Sequence, residues 1–222
     1  DGIMLGYGGQ TALNCGVNLD RLGILKKYGI SVLGTQIPGI MAAEDRQKFK
    51  DAMIKCNVPV LKSKTVNTFD DAKKAAEELG YPVIVRVAYT LGGKGGGVAF
   101  NEIELYEIVG RGLTASLVGQ ILIEEYVGSW KQIEYEVMQD YAENNIIVCN
   151  MENVLSMKVH TGDNIVVAPS QTLDNHEYHM LRTAALQAIK QIGIVGECNI
   201  QFALDPNSYN YAAIEVNPRL SR

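Results

Sequence analysis

The sequence predicts an α/β segment followed by a longer α+β body. Three observations carry that expectation. A buried strand, a glycine turn and an amphipathic helix open the chain, and a second buried strand follows at once, which is the pattern of a parallel, doubly wound layer. Beyond about residue 40 the pattern changes, with strands coming in succession and in hairpins, so a boundary near 40 divides residues 1–40 from 41–222. The 222 residues are 47% hydrophobic and 20% charged, ordinary for a globular protein with a sizeable core and enough for one large domain or two small ones.

The elements follow in order. "DGIMLGYGG" reads as a short strand running into a turn, "QTALNCGVNLDRLGILKKYG" as one helix ended by Gly29, and "ISVLG" as the second strand. "AEDRQKFKDAMIKCN" is a helix that stops before "VPVLKS". "TFDDAKKAAEELG" is another, with Thr68 as N-cap, acids in its first turn and Gly80 at its end. "YPVIVRVAY" and "GVAF" read as hairpin partners around a glycine run, and "NEIELYEIVGRGLTAS" as a helix. "QILIEEYV", "QIEYEVMQD" and "NNIIVCNME" are successive strands, "SMKVHTGDN" a loop and "IVVAPSQTL" a strand. A long helix, "DNHEYHMLRTAALQAIKQIG" with Asp174 as N-cap, precedes a closing hairpin of "ECNIQFAL" and "NYAAIEVN".

Several function classes are disfavoured. A net charge of −5 and a pI near 5.3 give no basic field to draw the chain to nucleic acid or an anionic membrane. The apolar runs fall well short of the ~18 residues that span a bilayer, and no signal peptide is visible. The start at Asp1 and the end just after "NPRLSR" read as a piece of something longer. Cys15, Cys56, Cys149 and Cys198 are widely spaced with no CxxC pair, which reads as four buried, reduced thiols of a cytoplasmic protein rather than a zinc site. His176 and His179 form an HxxH pair without a nearby carboxylate or thiol set, so no metal is expected there. The turn "GYGGQT" fails the dinucleotide fingerprint because Thr11 stands where the third glycine belongs.

Four stretches carry chemistry. "TLGGKGGGVAF" is not a Walker loop, yet consecutive glycines between strands let backbone N–H groups face an anion, with Lys94 adding charge; a flexible hairpin is the plainer alternative. Arg86 sits inside the apolar strand "VIVRV", where it needs a phosphate or carboxylate partner unless that strand faces water. In "LIEEY", Glu124 and Glu125 point to opposite faces, so at most one serves a given cleft. In "AIEVNPRLSR", Glu215 and Asn217 project from one face of a strand, and Gln201 lies roughly opposite on the preceding strand. A carboxylate with amide oxygens suits Mg²⁺, and Arg219 and Arg222 follow as anion binders; a polar outer strand face is the alternative. Together these features describe a nucleotide held between two sheets with Mg²⁺ on its phosphates.

These motifs, with "AEDRQKF", "LIEEYVGSWKQIEYEV", "CNMENV", "VHTGDNIVVAPSQTL", "GECNIQFAL" and "IEVNPRLSR", closely resemble the large subunit of carbamoyl phosphate synthetases, in its amino-terminal half, over essentially the whole chain. The resemblance implies an ATP-grasp fold, with a lid over about residues 58–127, preceded by the end of a Rossmann-like pre-ATP-grasp domain. It implies transfer of the ATP γ-phosphoryl group to bicarbonate, with Mg²⁺ or Mn²⁺, ahead of reaction with ammonia from a glutaminase small subunit or domain. The partner within the subunit would be its carboxy-terminal half, and the product would feed arginine or pyrimidine synthesis. By matching motif, Arg46 and Arg86 would touch ATP, Gly92 and Gly93 would cover the phosphates, and Glu125 and Val127 would hold the adenine and ribose. Gln132 would sit near the ribose, and Lys158, Val159 and His160 beside the nucleotide. Gln201 and Glu215 would serve both ATP and metal, Asn217 the metal, and Arg219 and Arg222 the bicarbonate and the transferred phosphate.

The chain departs from the family pattern at four places. Gln132 stands where Glu is usual, Lys158 where Gly is usual, Asn164 where Ser is common, and Val87 where a small residue or Pro is usual. The compartment expected is the cytoplasm, with mitochondria left open. Two rivals remain at this point: a nucleotide-binding module without full activity, and another bicarbonate-activating ATP-grasp enzyme such as a biotin-dependent carboxylase.

Overall fold

A computed structural model of the chain describes residues 1–87, 95–116, 119–157 and 164–221. They form two compact units, one of Asp1–Val60 with Ser129–Arg222 and one of Leu61–Gly128.

The first unit opens with β1 (Gly2–Met4), α1 (Gly9–Arg21), α2 (Ile24–Lys27) and β2 (Ser31–Leu33). β1 and β2 pair in parallel, with Gly2 opposite Ser31. The single helix expected up to Gly29 is two helices. Gly23 takes φ of 71°, a left-handed value that costs glycine nothing, and breaks the run between them. A helix the sequence reading did not foresee, α3 (Ile37–Glu44), follows. Pro38 sits in its first turn, where a missing N–H is harmless, and Ile37 and Ile40 pack with Leu5 and Leu13. α4 (Arg46–Lys55) is capped by Asp45, whose Oδ1 accepts from the backbone N–H groups of Gln47 and Lys48 at 3.0 Å.

The body of this unit is an antiparallel sheet of β7 (Lys131–Gln139), β8 (Asn145–Asn153), β9 (Val166–Val167), β10 (Gly196–Leu204) and β11 (Tyr211–Asn217), in the order β11-β10-β7-β8-β9. Strand alternation divides its side chains. Ile133, Tyr135, Val137, Cys198, Ile200, Phe202 and Leu204 face an apolar core shared with Leu181, Ala185 and Ile189 of α7 (Asn175–Ile192) and with Phe49 and Met53 of α4. The strand expected through "IVVAPSQTL" shrinks to two residues. Pro169 brings no donor for a ladder, so the segment leaves the sheet.

Two details of this unit position the candidate site. In the hairpin β10–β11, Gln201 lies opposite Glu215, whereas Phe202 lies opposite Ala213, so Ile214 is an extra residue. This bulge lets Ala213 and Val216 both enter the apolar core while Glu215 stays outside it. α7 begins with a reciprocal cap: Asp174 Oδ1 accepts from the Glu177 N–H at 2.7 Å, and Glu177 Oε2 accepts from the Asp174 N–H at 2.8 Å. Asp174→Ala is therefore expected to cost about 1 kcal/mol. A chain of this length should then melt about 2–4 °C lower. Calorimetry checks this, and an unchanged melting temperature would contradict it.

The second unit contains β3 (Ser63–Val66), α5 (Phe69–Leu79), β4 (Val83–Val87), β5 (Gly97–Ala99), α6 (Glu102–Ala115) and β6 (Ile121–Glu125). Its sheet runs β3-β6-β4-β5, and β4 and β5 pair antiparallel, Val83 opposite Ala99, as the hairpin reading required. Thr68 caps α5, accepting from the Asp71 N–H at 3.2 Å. Ala72, Ala75 and Ala76 let α5 approach the sheet closely, where it joins Leu105 and Val109 of α6 over Val83, Val85, Ile121 and Ile123. No helix among the described residues is long and apolar enough to cross a membrane.

Candidate functional site: a polar sheet face

The face of the five-stranded sheet turned away from α7 is lined by polar residues. Antiparallel register puts directly opposed residues on one face. Gln132 lies opposite Ala203 and Asn153, Glu134 opposite Gln201, and Glu136 opposite Asn199. Beyond them, Gln201 is opposite Glu215 and Asn199 opposite Asn217. Four of the residues the sequence singled out, Gln132, Gln201, Glu215 and Asn217, thus share this face.

Burial makes the hydrogen bonding of this face consequential. Glu134 and Glu136 are 5% and 6% exposed, too little for water to solvate two carboxylates, so the protein must. Glu134 Oε1 accepts from Asn153 Nδ2 at 2.7 Å and its Oε2 from Asn199 Nδ2 at 2.9 Å. The same Asn199 amide donates to Glu136 Oε1 at 2.8 Å, and Ser221 Oγ donates to that oxygen at 2.6 Å. Glu136 Oε2 and Asn153 Oδ1 are buried with no partner among the described residues. Burial pushes the Glu136 carboxyl above its ordinary value, the bonds from Ser221 and Asn199 oppose that, and Glu197 and Glu134 add to it.

At the outer end of the face, Glu215 is exposed and Asn217 half-buried. Asn217 Nδ2 donates to Glu215 Oε1 at 3.1 Å, and Asn217 Oδ1 accepts from Arg219 Nη2 at 3.3 Å. Glu44 joins this corner. Its carboxyl is raised first by desolvation, lowered by Gln10, which donates to Oε2 at 2.6 Å, raised by Glu215 and lowered by Arg219. Glu215, Gln201 and Asn217 offer one carboxylate and two amide oxygens, a hard donor set that fits Mg²⁺ when substrate phosphates and water complete the shell. Among the described residues no three His, Cys, Asp or Glu side chains converge as a metal cluster, so such a cation would depend on the amides.

The other predicted residues distribute as follows. Arg46 is exposed as the first residue of α4. In the second unit, Arg86 Nε donates to Glu124 Oε1 at 2.7 Å, so a neighbouring strand supplies the carboxylate that a strand arginine needs. Glu125 ends β6, with its N–H bonded to the Lys62 carbonyl at 2.9 Å, and Val127 is buried. Gly92, Gly93, Lys94, Lys158, Val159, His160 and Arg222 lie outside the described residues. The expectation of four buried thiols needs correction, because Cys15 is exposed, Cys56 and Cys149 are half-buried, and only Cys198 is buried. Cys15 lies on the exposed side of amphipathic α1, whose buried residues are Leu13 and Gly16.

Sequence reading missed Glu134, Glu136, Asn153, Asn199 and Glu44. The strand "QIEYEV" does carry a signal, since its acids alternate with the core residues Ile133, Tyr135 and Val137. That alternation is also what a strand with a water-facing side shows, and only the fold reveals the acids as buried.

A family model described as the carbamoyl-phosphate synthase L chain, ATP binding domain, matches residues 45–222. The chain belongs to that family. The carbamoyl phosphate synthase large chain of Clostridium botulinum (strain Langeland) is 55% identical over all 222 residues, which cover 21% of that protein. The N-terminal section of the Methanopyrus kandleri large chain is 56% identical, with 39% of it covered. The arginine-specific mitochondrial large chain of Neurospora crassa is 54% identical, with 19% covered. This synthase-family chain thus spans about a fifth of the length of the large chains it matches. Among solved structures, the biotin carboxylase of Campylobacter jejuni, a β-γ-ATP complex, matches all of the chain and 49% of its own, with a TM-score of 0.82 at 28% identity. The biotin carboxylase domain of Hydrogenobacter thermophilus 2-oxoglutarate carboxylase, in complex with MgADP, ADP and bicarbonate, matches 99% of the chain and 48% of its own, with a TM-score of 0.79 at 26% identity. The fold is therefore of the ATP-grasp type. Sequence identity is about twice as high to the synthases as to these carboxylases.

Proposed function

We propose that the chain binds ATP and transfers its γ-phosphoryl group to bicarbonate, forming carboxyphosphate as the first step of glutamine-dependent carbamoyl phosphate synthesis. The observation that carries the reading is the run Gln201, Glu215, Asn217 and Arg219, where one carboxylate and two amides share a strand face and Asn217 is hydrogen-bonded to a guanidinium. A bicarbonate oxygen attacks the γ-phosphorus, the bond to the β,γ-bridging oxygen breaks, and ADP leaves with the electron pair. Bicarbonate already bears a nucleophilic oxygen, so the residues mainly position it and neutralise charge.

In this reading Gln201, Glu215 and Asn217 hold Mg²⁺ or Mn²⁺, which when bound neutralises charge on the ATP phosphates. Arg219 and Arg222 face bicarbonate and the transferred phosphate. Arg46 and Arg86 touch the ATP phosphates or the adenosine side, Gly92 and Gly93 lie over the phosphates, Glu125, Val127 and Gln132 serve the adenosine side, and Lys158, Val159 and His160 flank the nucleotide. Ammonia from a glutaminase subunit or domain would convert the product to carbamate. A second ATP site in the carboxy-terminal half of the large chain would phosphorylate that carbamate, for arginine or pyrimidine synthesis, in the cytoplasm or in mitochondria.

Thermal melting tests the binding step. ATP with Mg²⁺ should raise the melting temperature, and ATP without the ion should raise it less. Glu215→Ala should remove most of the difference, because it deletes the only carboxylate of the three proposed metal ligands. Equal shifts with and without Mg²⁺ in the unaltered chain would contradict the assigned cation face.

A further inference from the structure

We propose that Glu136 is a positioning residue for the arginine arm that follows β11, acting through Ser221. The inference rests on the proposed bicarbonate role of that arm, and it concerns two residues that the reading leaves without a task. Residues 218–221 leave the sheet carrying Arg219, and backbone bonds hold the arm at two points: Arg219 N–H to the Asn217 carbonyl at 2.8 Å and Leu220 N–H to the Gly6 carbonyl at 2.9 Å. Neither fixes the arm beyond Leu220. The Ser221 hydroxyl does so, donating to Glu136 Oε1 at 2.6 Å, with a long secondary contact of 3.5 Å from the Ser221 N–H to Glu197 Oε1. Ser221 stands two residues after Arg219, so its anchor bears on that arginine.

The anchor is rigid. Glu136 is 6% exposed, and the oxygen that holds Ser221 also accepts from Asn199. Asn199 in turn is fixed on Glu134, so β7 and β10 both hold the acceptor in place. An O–H···O⁻ bond to a buried carboxylate is among the stronger hydrogen bonds a side chain makes. It also constrains direction, which a surface serine could not do. A site that must hold a guanidinium within a fraction of an ångström of its working position needs such support.

The test uses the whole large chain, assayed for bicarbonate-dependent ATP hydrolysis. Ser221→Ala should lower kcat and raise the KM for bicarbonate, together about tenfold, within the roughly hundredfold that a misplacement on the order of 1 Å can cost. The KM for ATP should stay within about twofold, and the melting temperature should fall by only a few degrees, since Glu136 Oε1 keeps its bond from Asn199. Ser221→Thr, which keeps the hydroxyl, should restore most of the loss. Glu136→Gln, which keeps an acceptor but loses the charge, should fall between. Arg219→Ala serves as the control. If it abolishes activity while Ser221→Ala behaves like the parent, the positioning role is wrong and the bicarbonate reading stands. If Arg219→Ala is itself silent, the bicarbonate reading fails and takes the positioning role with it. Equal losses in Ser221→Ala and Ser221→Thr would also overturn the role, since the hydroxyl would then not be the agent.

Discussion

Replacing Arg219 with Ala should lower bicarbonate-dependent ATP hydrolysis by the whole large chain about 10²–10³-fold, the usual cost of removing one preorganised donor aimed at developing charge. The magnitude follows from where the side chain stands. Its Nη2 is hydrogen-bonded to Asn217 Oδ1, and Asn217 is bonded to Glu215, so the guanidinium is held at the edge of the proposed cation face rather than free in water. A fixed fork of donors there can engage bicarbonate and the arriving phosphoryl oxygens together. The loss should appear in kcat, with the KM for ATP changed little, because the nucleotide's other proposed contacts are untouched. Arg219→Lys should recover only a small part, since an ammonium offers a point charge without the planar fork. Steady-state kinetics at varied bicarbonate and fixed ATP decide the matter. A variant that keeps its full rate would remove Arg219 from the chemistry.

Much of this arrangement was legible in the sequence, for identifiable reasons. Glu215 and Asn217 lie two apart in an apolar strand, and period-two geometry alone puts them on one face. Their pairing with Gln201 was only roughly placed, because the "DPNSYN" turn hides the register and Ile214 adds a residue that no alternation rule anticipates. Asp174 and Thr68 could be read as caps because cap chemistry is local. α3 was missed because Pro38 and Gly39 look like breakers, although proline suits a first turn. For Arg86 the sequence leaves a phosphate or carboxylate partner and a water-facing strand both open, and the Glu124 pairing depends on which strands lie side by side, which is a tertiary fact. The same holds for Glu134 and Glu136, whose burial follows from sheet order and not from any neighbour in sequence.

Exchanging Asn153 for Asp tests that buried network most severely. The two side chains have the same shape, but the substitution replaces the amide that donates to Glu134 Oε1 at 2.7 Å with a carboxylate oxygen. Asn153 is 4% exposed, so the new charge would face an existing one with little water between them. Leaving a buried charge unpaired in this way is expected to cost about 3–5 kcal/mol near neutral pH. At about 2–4 °C per kcal/mol for a chain of this size, that is a fall in melting temperature of roughly 6–20 °C. The cost should depend on pH, with a definite sign. When protonated, the introduced carboxyl carries an O–H where the asparagine carried an N–H, so the acid form restores the bond to Glu134 and keeps a carbonyl oxygen in the place of Oδ1. The folded chain therefore holds that proton more tightly than the unfolded one, and the carboxyl's folded pKa lies above its ordinary value. The stability tied to it is present below the ordinary carboxylate range and is lost as pH rises through the raised value. Glu136 in the parent, already raised by burial, slopes the same way and cancels when variant and parent are compared. Denaturant unfolding at about pH 8 and about pH 5 should thus show a wide gap between Asn153→Asp and the parent that narrows in acid. A gap that is small, or that does not change with pH, would mean that the Asn153–Glu134 contact is not the buried donor–acceptor pair that the fold makes it.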